Sequence, residues 1–171
     1  MAQNIEIKAR VPDLAVVEAR ARSVADQGPF ELDQDDTFFA CSNGRLKLRE
    51  LASDRGELIF YQRPDISGPK LSQYFISPTP TPSLLRDTLT RALGVVGRVR
   101  KHRRLYLAEN TRIHLDQVEG LGSFLELEVV LSPVQSIADG EVVAHRLLSV
   151  LGISESDLEP VAYVDLLRED R

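Results

Sequence analysis

Thr111-Arg-Ile-His-Leu-Asp116, followed after a glycine-bearing turn by Phe124-Leu-Glu-Leu-Glu-Val-Val130, alternates charged and apolar side chains at every second position. Residues i, i+2 and i+4 of a strand share one face. Arg112, His114 and Asp116 therefore stand opposite Ile113 and Leu115, and Glu126 and Glu128 stand opposite Leu125, Leu127 and Val129. The same alternation recurs upstream. Gln3–Arg10 sets Glu6, Lys8 and Arg10 against Ile5, Ile7 and Ala9, and Arg45–Leu51 sets Arg45, Lys47 and Arg49 against Leu46 and Leu48. For one such strand, a wetted outer face is the ordinary reading. Four of them need a common explanation.

Strands are also read at Phe30–Ala40, Glu57–Arg63, Lys70–Ile76 and Val95–Leu107, which brings the total to eight with Thr111–Val118 and Ser123–Leu131, enough to close a small barrel. Helices are read at Asp13–Ala25, Ser83–Leu93 and Gly140–Leu151 from their apolar spacing. Asp13 and Ser83 stand where caps open a helix, and Gly28, Gly94 and Gly152 where helices stop. Ser77–Pro82 reads Ser-Pro-Thr-Pro-Thr-Pro, too rich in proline for a central strand. It is expected to be an extended connection joining two half-barrels of one domain spanning 1–171. The fold class is thus α+β: an eight-stranded antiparallel barrel with helices on its outside. If those helices cover the apolar faces, the charged faces must look inward.

Composition narrows the function. The chain has 171 residues, 43% hydrophobic and 27% charged, a net charge of −5 and a single cysteine, Cys41. No apolar run is long enough to cross a bilayer, and the N-terminal stretch carries Glu6, Lys8 and Arg10 where a signal peptide would be apolar. One cysteine makes no internal disulfide. A cytoplasmic protein is expected, with no membrane and, given the acidic balance, no nucleic-acid partner. As a helix or tail the basic run Arg98–Arg104 would suggest an external nucleic-acid patch; inside a strand its alternation instead places Lys101 and Arg103 on one face and Arg100, His102 and Arg104 on the other. Gly120-Leu-Gly122 is a hairpin connection, because no helix follows it as a phosphate loop requires.

A lumen lined by Arg45, Lys47, Arg49, Arg63, Lys70, Lys101, Arg103 and Arg112 on the basic side and by Glu6, Asp116, Glu126 and Glu128 on the acidic side cannot be dry, since each uncompensated buried ion costs several kcal/mol. Polyphosphate suits the cations, and arginine binds its oxygens in pairs. Carboxylates tolerate such a ligand when a hard divalent cation lies between, so Mg²⁺ or Mn²⁺ is expected. Zinc is less suited, because His102, His114 and His145 form no paired ligand motif.

These residues resemble the CYTH superfamily, the triphosphate tunnel metalloenzymes. The resemblance rests on Asn4-Ile-Glu-Ile-Lys-Ala-Arg10, Asp36-Thr-Phe-Phe39, Gly44-Arg-Leu-Lys-Leu-Arg-Glu50, Leu58-Ile-Phe-Tyr-Gln-Arg-Pro-Asp65, Val99-Arg-Lys-His-Arg103, Thr111–Asp116, Val118-Glu-Gly-Leu-Gly122, Phe124–Glu128 and Tyr163-Val-Asp-Leu-Leu167, in that order. The chain most resembles bacterial class IV adenylate cyclase-like proteins. The resemblance implies an eight-stranded tunnel that binds a triphosphate-bearing small molecule (ATP, thiamine triphosphate or tripolyphosphate) with Mg²⁺ or Mn²⁺. It implies Glu6, Asp116, Glu126 and Glu128 on the metal side, and Lys8, Arg10, Arg45, Lys47, Arg63, Lys70, Lys101, Arg103 and Arg112 on the phosphate side. Lys8, Glu6, Glu126 and Glu128 would be catalytic. The family's usual opening is Glu-x-Glu-x-Lys, and Asn4 departs from it by offering an oxygen without a charge.

The expected activity is hydrolysis of an organic or inorganic triphosphate, of the thiamine triphosphatase or tripolyphosphatase type. The alternatives are a class IV adenylate cyclase, forming cyclic AMP and pyrophosphate from ATP, and a non-catalytic module that binds polyphosphate. The oligomer is expected to be a monomer or a homodimer.

Overall fold

The computed structural model describes residues 1–169. It has twelve main elements: β1 (Ala2–Arg10), α1 (Leu14–Val24), β2 (Gln27–Phe39), β3 (Arg45–Ala52), β4 (Arg55–Gln62), β5 (Lys70–Thr79), α2 (Pro82–Leu93), β6 (Val95–Ala108), β7 (Thr111–Val118), β8 (Gly122–Val130), α3 (Ile137–Leu151) and α4 (Tyr163–Glu169). All eight strands pair antiparallel and close in the order β1-β5-β4-β3-β2-β6-β7-β8. The expected eight-stranded barrel is therefore present. Strands β1 to β5 make one contiguous arc and β6 to β8 the other.

The apolar faces meet helices, as the alternation requires. Ile5 and Ile7 of β1, Ile113 and Leu115 of β7, and Leu125, Leu127 and Val129 of β8 are buried outside the barrel wall beneath Leu14, Val17 and Ala21 of α1 and Ala144, Leu147, Leu148 and Leu151 of α3. Each such side chain contributes about 1.5–3 kcal/mol of burial. Helix α3 lies so close to β1 that a Cβ on Gly140 would stand 2.6 Å from Ile5 and 2.7 Å from Leu131. Asp13 opens α1 by accepting from the backbone N–H groups of Ala15 and Val16, and Ser136 opens α3 with a capping box to Asp139.

Several sequence expectations are corrected. Thr81, not Ser83, is the N-cap of α2, because Pro82 takes the first helical position, where its missing N–H costs nothing. Gly28 does not stop α1. That helix ends at Val24 with Ala25 as its C-cap, and Gly28 belongs to β2 with φ +114. Part of the Ser77–Pro82 connection is strand: Ser77, Pro78 and Thr79 pair with Leu58, Glu57 and Gly56. Proline is tolerated there because β5 pairs with β1 only over Lys70–Tyr74, so its later residues face no strand on that side.

Helix α4 was not expected, since seven residues show too little periodicity. It seats Ala162, Tyr163, Val164 and Leu166 against Phe38, Val99, Val118 and Phe124, which are buried side chains at one end of the barrel. A Cβ on Gly97 would collide with Val164. One mouth is thereby closed. Among the described residues no helix is long and apolar enough to cross a membrane.

Candidate active site

The charged faces enclose a cavity of about 520 Å³. It is lined by Lys8, Lys47, Arg49, Arg55, Arg63, Lys101, Arg103 and Arg112 and by Glu6, Asp36, Glu57, Glu126 and Glu128, an excess of three positive charges. Strand register sets the arrangement: Glu6 lies opposite Glu128, Lys8 and His114 each opposite Glu126, and Arg112 opposite Glu128. Leu32, Leu51, Leu105 and Tyr74 line the cavity at partial exposure, away from the buried Tyr163 and Phe124. The open mouth lies on their side.

Each carboxylate is gripped by cations. Arg103 donates to Glu126 at 2.5 Å, Lys8 and Lys101 stand 3.7 and 3.9 Å from the same carboxylate, Arg112 donates to Glu128 at 2.7 Å, and Arg63 donates to Glu6. On the opposite wall Asp36 accepts from Lys47 at 2.8 Å and from Arg49 at 2.8 and 2.9 Å. Burial pushes the Glu126 and Asp36 carboxyls toward the neutral form. The surrounding cations override it and hold both well below the usual carboxylate range. Burial also drives the Lys8 and Lys47 ammonium groups down to about 8, each only partly supported by its acidic neighbour.

Nine predicted site residues are brought together in the lining: Glu6, Lys8, Lys47, Arg63, Lys101, Arg103, Arg112, Glu126 and Glu128. Four are placed elsewhere. Arg10 is exposed at the end of β1, paired with Glu159 at 3.1 Å and lying over the Phe124 ring. Arg45 is held by Asp65 and Asp165 at 2.6 and 2.9 Å, and Lys70 donates to the carbonyls of Ile66 and Pro160. Asp116 lies fully buried outside the cavity lining. It accepts from Lys101 at 3.0 Å, from Arg103 at 2.6 Å on each oxygen and from the Tyr163 hydroxyl at 3.1 Å. Burial pushes the Asp116 carboxyl up, but Arg103 and Lys101 bring it down to about 2. With both oxygens engaged, Asp116 organises the cations around it.

Sequence reasoning assigned no role to Asp36, Tyr61 or Tyr163. The period-two reading of β2 places Asp36 on the Gln34 face and could have found it. Tyr163 carried no such signal, because it reaches the lumen from a helix: Lys8 and Lys101 lie 4.2 and 4.9 Å from its ring centroid.

For a metal, the fitting donors are His114, Glu126 and Glu128, which each offer an atom within 4.8 Å of the others. Glu6 faces Glu128 across the strand pair, and the buried Oδ1 of Asn4 in the same lining has no hydrogen-bond partner. A divalent ion fits this oxygen-rich corner.

The basic run divides as its alternation predicted. Lys101 and Arg103 point inward, while Arg98 and Arg100 pair with Asp35, His102 with Glu31 and Asp33, and Arg104 with Glu18. An open groove of about 740 Å³ runs along this outer side between Glu50 and Glu119. Its arginines are neutralised by those acids and by the Arg86–Glu50 pair at 3.0 Å, so it holds no comparable excess charge.

The fold is shared with solved structures. A protein from Pyrococcus horikoshii OT3 superimposes with a TM-score of 0.85 at 23% identity, over 95% of this chain and 98% of that one. A protein from Vibrio parahaemolyticus, named as an adenylate cyclase candidate, does so with 0.78 at 17% identity over 96% and 97%. A protein from Hippeastrum, described as an adenylyl cyclase candidate with a dominant triphosphatase activity, gives 0.65 at 17% identity over 100% and 97%. No curated protein matches the chain. The family model described as the CYTH domain matches residues 2–163, nearly the whole length, and the chain belongs to the CYTH family.

Proposed function

We propose that this protein hydrolyses triphosphates inside the barrel with the help of a divalent metal. The observation that carries the reading is the lumen's excess of three positive charges, walled in with carboxylates at one corner. A triphosphate chain near neutral pH brings roughly four negative charges, so together with one divalent ion it nearly balances the cavity. Glu126 and Glu128, with Glu6 beside them, are the residues that would hold Mg²⁺ or Mn²⁺. Such an ion, when bound, neutralises and polarises phosphoryl oxygens.

The chain's own residues do the rest. Arg63, Arg103 and Arg112 bring guanidinium charge to the phosphate chain, each oriented by a carboxylate (Glu6, Asp116 and Glu128), and Lys8 and Lys101 add point charges deeper in the cavity. Phosphoryl transfer through a loose transition state asks mainly for positioning and charge stabilisation. The ion pairs hold these cations in place around the cavity. The hydrolytic activity described for the Hippeastrum protein agrees with this reading. The cyclase alternative draws on the Vibrio protein's name and requires the ribose 3′ hydroxyl, rather than water, to attack the α-phosphorus.

Incubation with ATP, thiamine triphosphate and tripolyphosphate in Mg²⁺ or Mn²⁺, with products separated by chromatography, tests the proposal. Orthophosphate release is expected. Cyclic AMP with pyrophosphate from ATP would replace hydrolysis by cyclisation, and tight binding without turnover would leave a binding module.

A further inference from the structure

The corner that would hold the ion contains a nitrogen. His114 projects from β7 into the lumen beside both acidic residues of β8, opposite Glu126 and adjacent to the Arg112–Glu128 pair. Its Nδ1 stands 3.9 Å from Glu126 Oε2 and 3.9 Å from Glu128 Oε1. That nitrogen is buried and has no hydrogen-bond partner. An unsatisfied buried polar atom costs about 1–3 kcal/mol, so its persistence in a lumen otherwise dense with ion pairs needs an explanation.

The carboxylates are only partly engaged. Arg112 takes Glu128 Oε2, leaving Glu128 Oε1 facing the imidazole, and Arg103 takes Glu126 Oε2, leaving Glu126 Oε1 facing Lys8. Among the described residues, His114, Glu126 and Glu128 are the one group of three whose ligand atoms converge within 4.8 Å. An ion between them would give Nδ1 its missing partner.

We infer that His114 is the third protein ligand of the metal and makes the site selective for Mn²⁺-class ions over Mg²⁺. The inference rests on the metal-assisted reading above and adds the ligand set and its preference. Mg²⁺ favours an all-oxygen octahedron and sheds water reluctantly, whereas affinity for sites that include imidazole rises along the first transition series. One nitrogen among two carboxylates shifts the balance in that direction. Asn4 contributes an uncharged oxygen to the same lining.

The test uses the full chain and Mn²⁺ alone, followed by Mn²⁺ with tripolyphosphate. Electron spin echo spectra of bound Mn²⁺ should show ¹⁴N modulation that changes when histidine is ¹⁵N-labelled and disappears in His114→Gln, a variant of similar size that retains the fold by circular dichroism. His102 and His145 remain in that variant, so surface binding is separated. Mn²⁺ affinity should fall about tenfold or more in His114→Gln, while Mg²⁺ affinity, measured by competition, changes by less than about threefold. Bound Mn²⁺ without nitrogen modulation, equal losses for both ions, or no Mn²⁺ binding under either condition would overturn the assignment. Triphosphate turnover without nitrogen coupling defeats this inference alone; nitrogen-coupled Mn²⁺ without turnover defeats only the hydrolase reading.

Discussion

Arg103 and Asp116 face each other in register across β6 and β7, and the guanidinium donates from Nε and a terminal nitrogen to the two carboxylate oxygens at 2.6 Å each. The same terminal nitrogen reaches Glu126 at 2.5 Å. One arginine therefore ties a fully buried carboxylate at the closed end of the barrel to a carboxylate in the cavity lining, with its Nε and one terminal nitrogen already engaged. Replacing it touches both stability and binding.

Arg103→Ala should destabilise the fold by about 3–5 kcal/mol, because it strips a buried acid of its bidentate partner. Arg103→Lys, which restores charge without the fork, should recover only part of that loss. Denaturant titration at pH 7 measures both. A loss under about 1 kcal/mol for the alanine variant would mean that Lys101 and Tyr163 alone satisfy Asp116.

Glu128→Gln keeps the shape and removes the charge from the metal corner. Turnover of any triphosphate should drop by about 100-fold or more, with the circular dichroism spectrum unchanged. Wild-type rates in this variant would contradict the metal assignment. Chelation of divalent ions with excess EDTA should abolish activity in the wild type and restore it on readdition.

Lys8 and Lys47, both brought to about 8 by burial, set the alkaline limb. Their ammonium forms attract phosphate, so kcat/KM should be level below pH 8 and fall as pH rises through it. The stability contribution has the opposite sign. The folded-state pKa lies below the unfolded value of 10.5, so the unfolded chain binds more protons between about pH 8 and 10.5, and these two groups contribute increasing stability across that window. Rate profiles of the wild type and the Lys8→Arg variant check the first statement: the variant should retain only the Lys47 step.

Most of this barrel was legible because period two is unambiguous wherever charge and hydrocarbon alternate. Glu126 and Glu128 between Leu125, Leu127 and Val129 could face only one way once α1 and α3 had claimed the apolar side. Alternation states a face and not a depth, and this is where the reading stopped. Arg10, Arg45 and Asp116 share parity with lumen residues, but they lie level with the closed mouth, where Glu159, Asp165 and Tyr163 arrive from the distant C-terminal segment. Those partners are more than a hundred residues away from Arg10 and Arg45, and no local pattern announces them. The orphaned nitrogen of His114 was invisible for the same reason, since a missing partner is a property of packing.

Tyr163 closes the lumen by its ring and helps Asp116 by its hydroxyl, and two variants separate these roles. Tyr163→Phe should cost about 1 kcal/mol, the worth of one hydrogen bond. Tyr163→Ala should cost about 3–5 kcal/mol through loss of contact with Phe124, 4.9 Å away between ring centroids. Thermal unfolding of the pair gives the comparison, and equal losses would show that the ring fills no essential space.

The seal that α4 places over one mouth makes the chamber a cul-de-sac. A triphosphate bound as proposed would come in phosphates first, with any bulkier group trailing at the rim, and whatever is cut from it would back out along the same path. Long polymers of phosphate could be nibbled at a terminus but never threaded from side to side, and each departing fragment stands in the way of the next arrival. Inhibition by the released phosphate should accordingly be competitive.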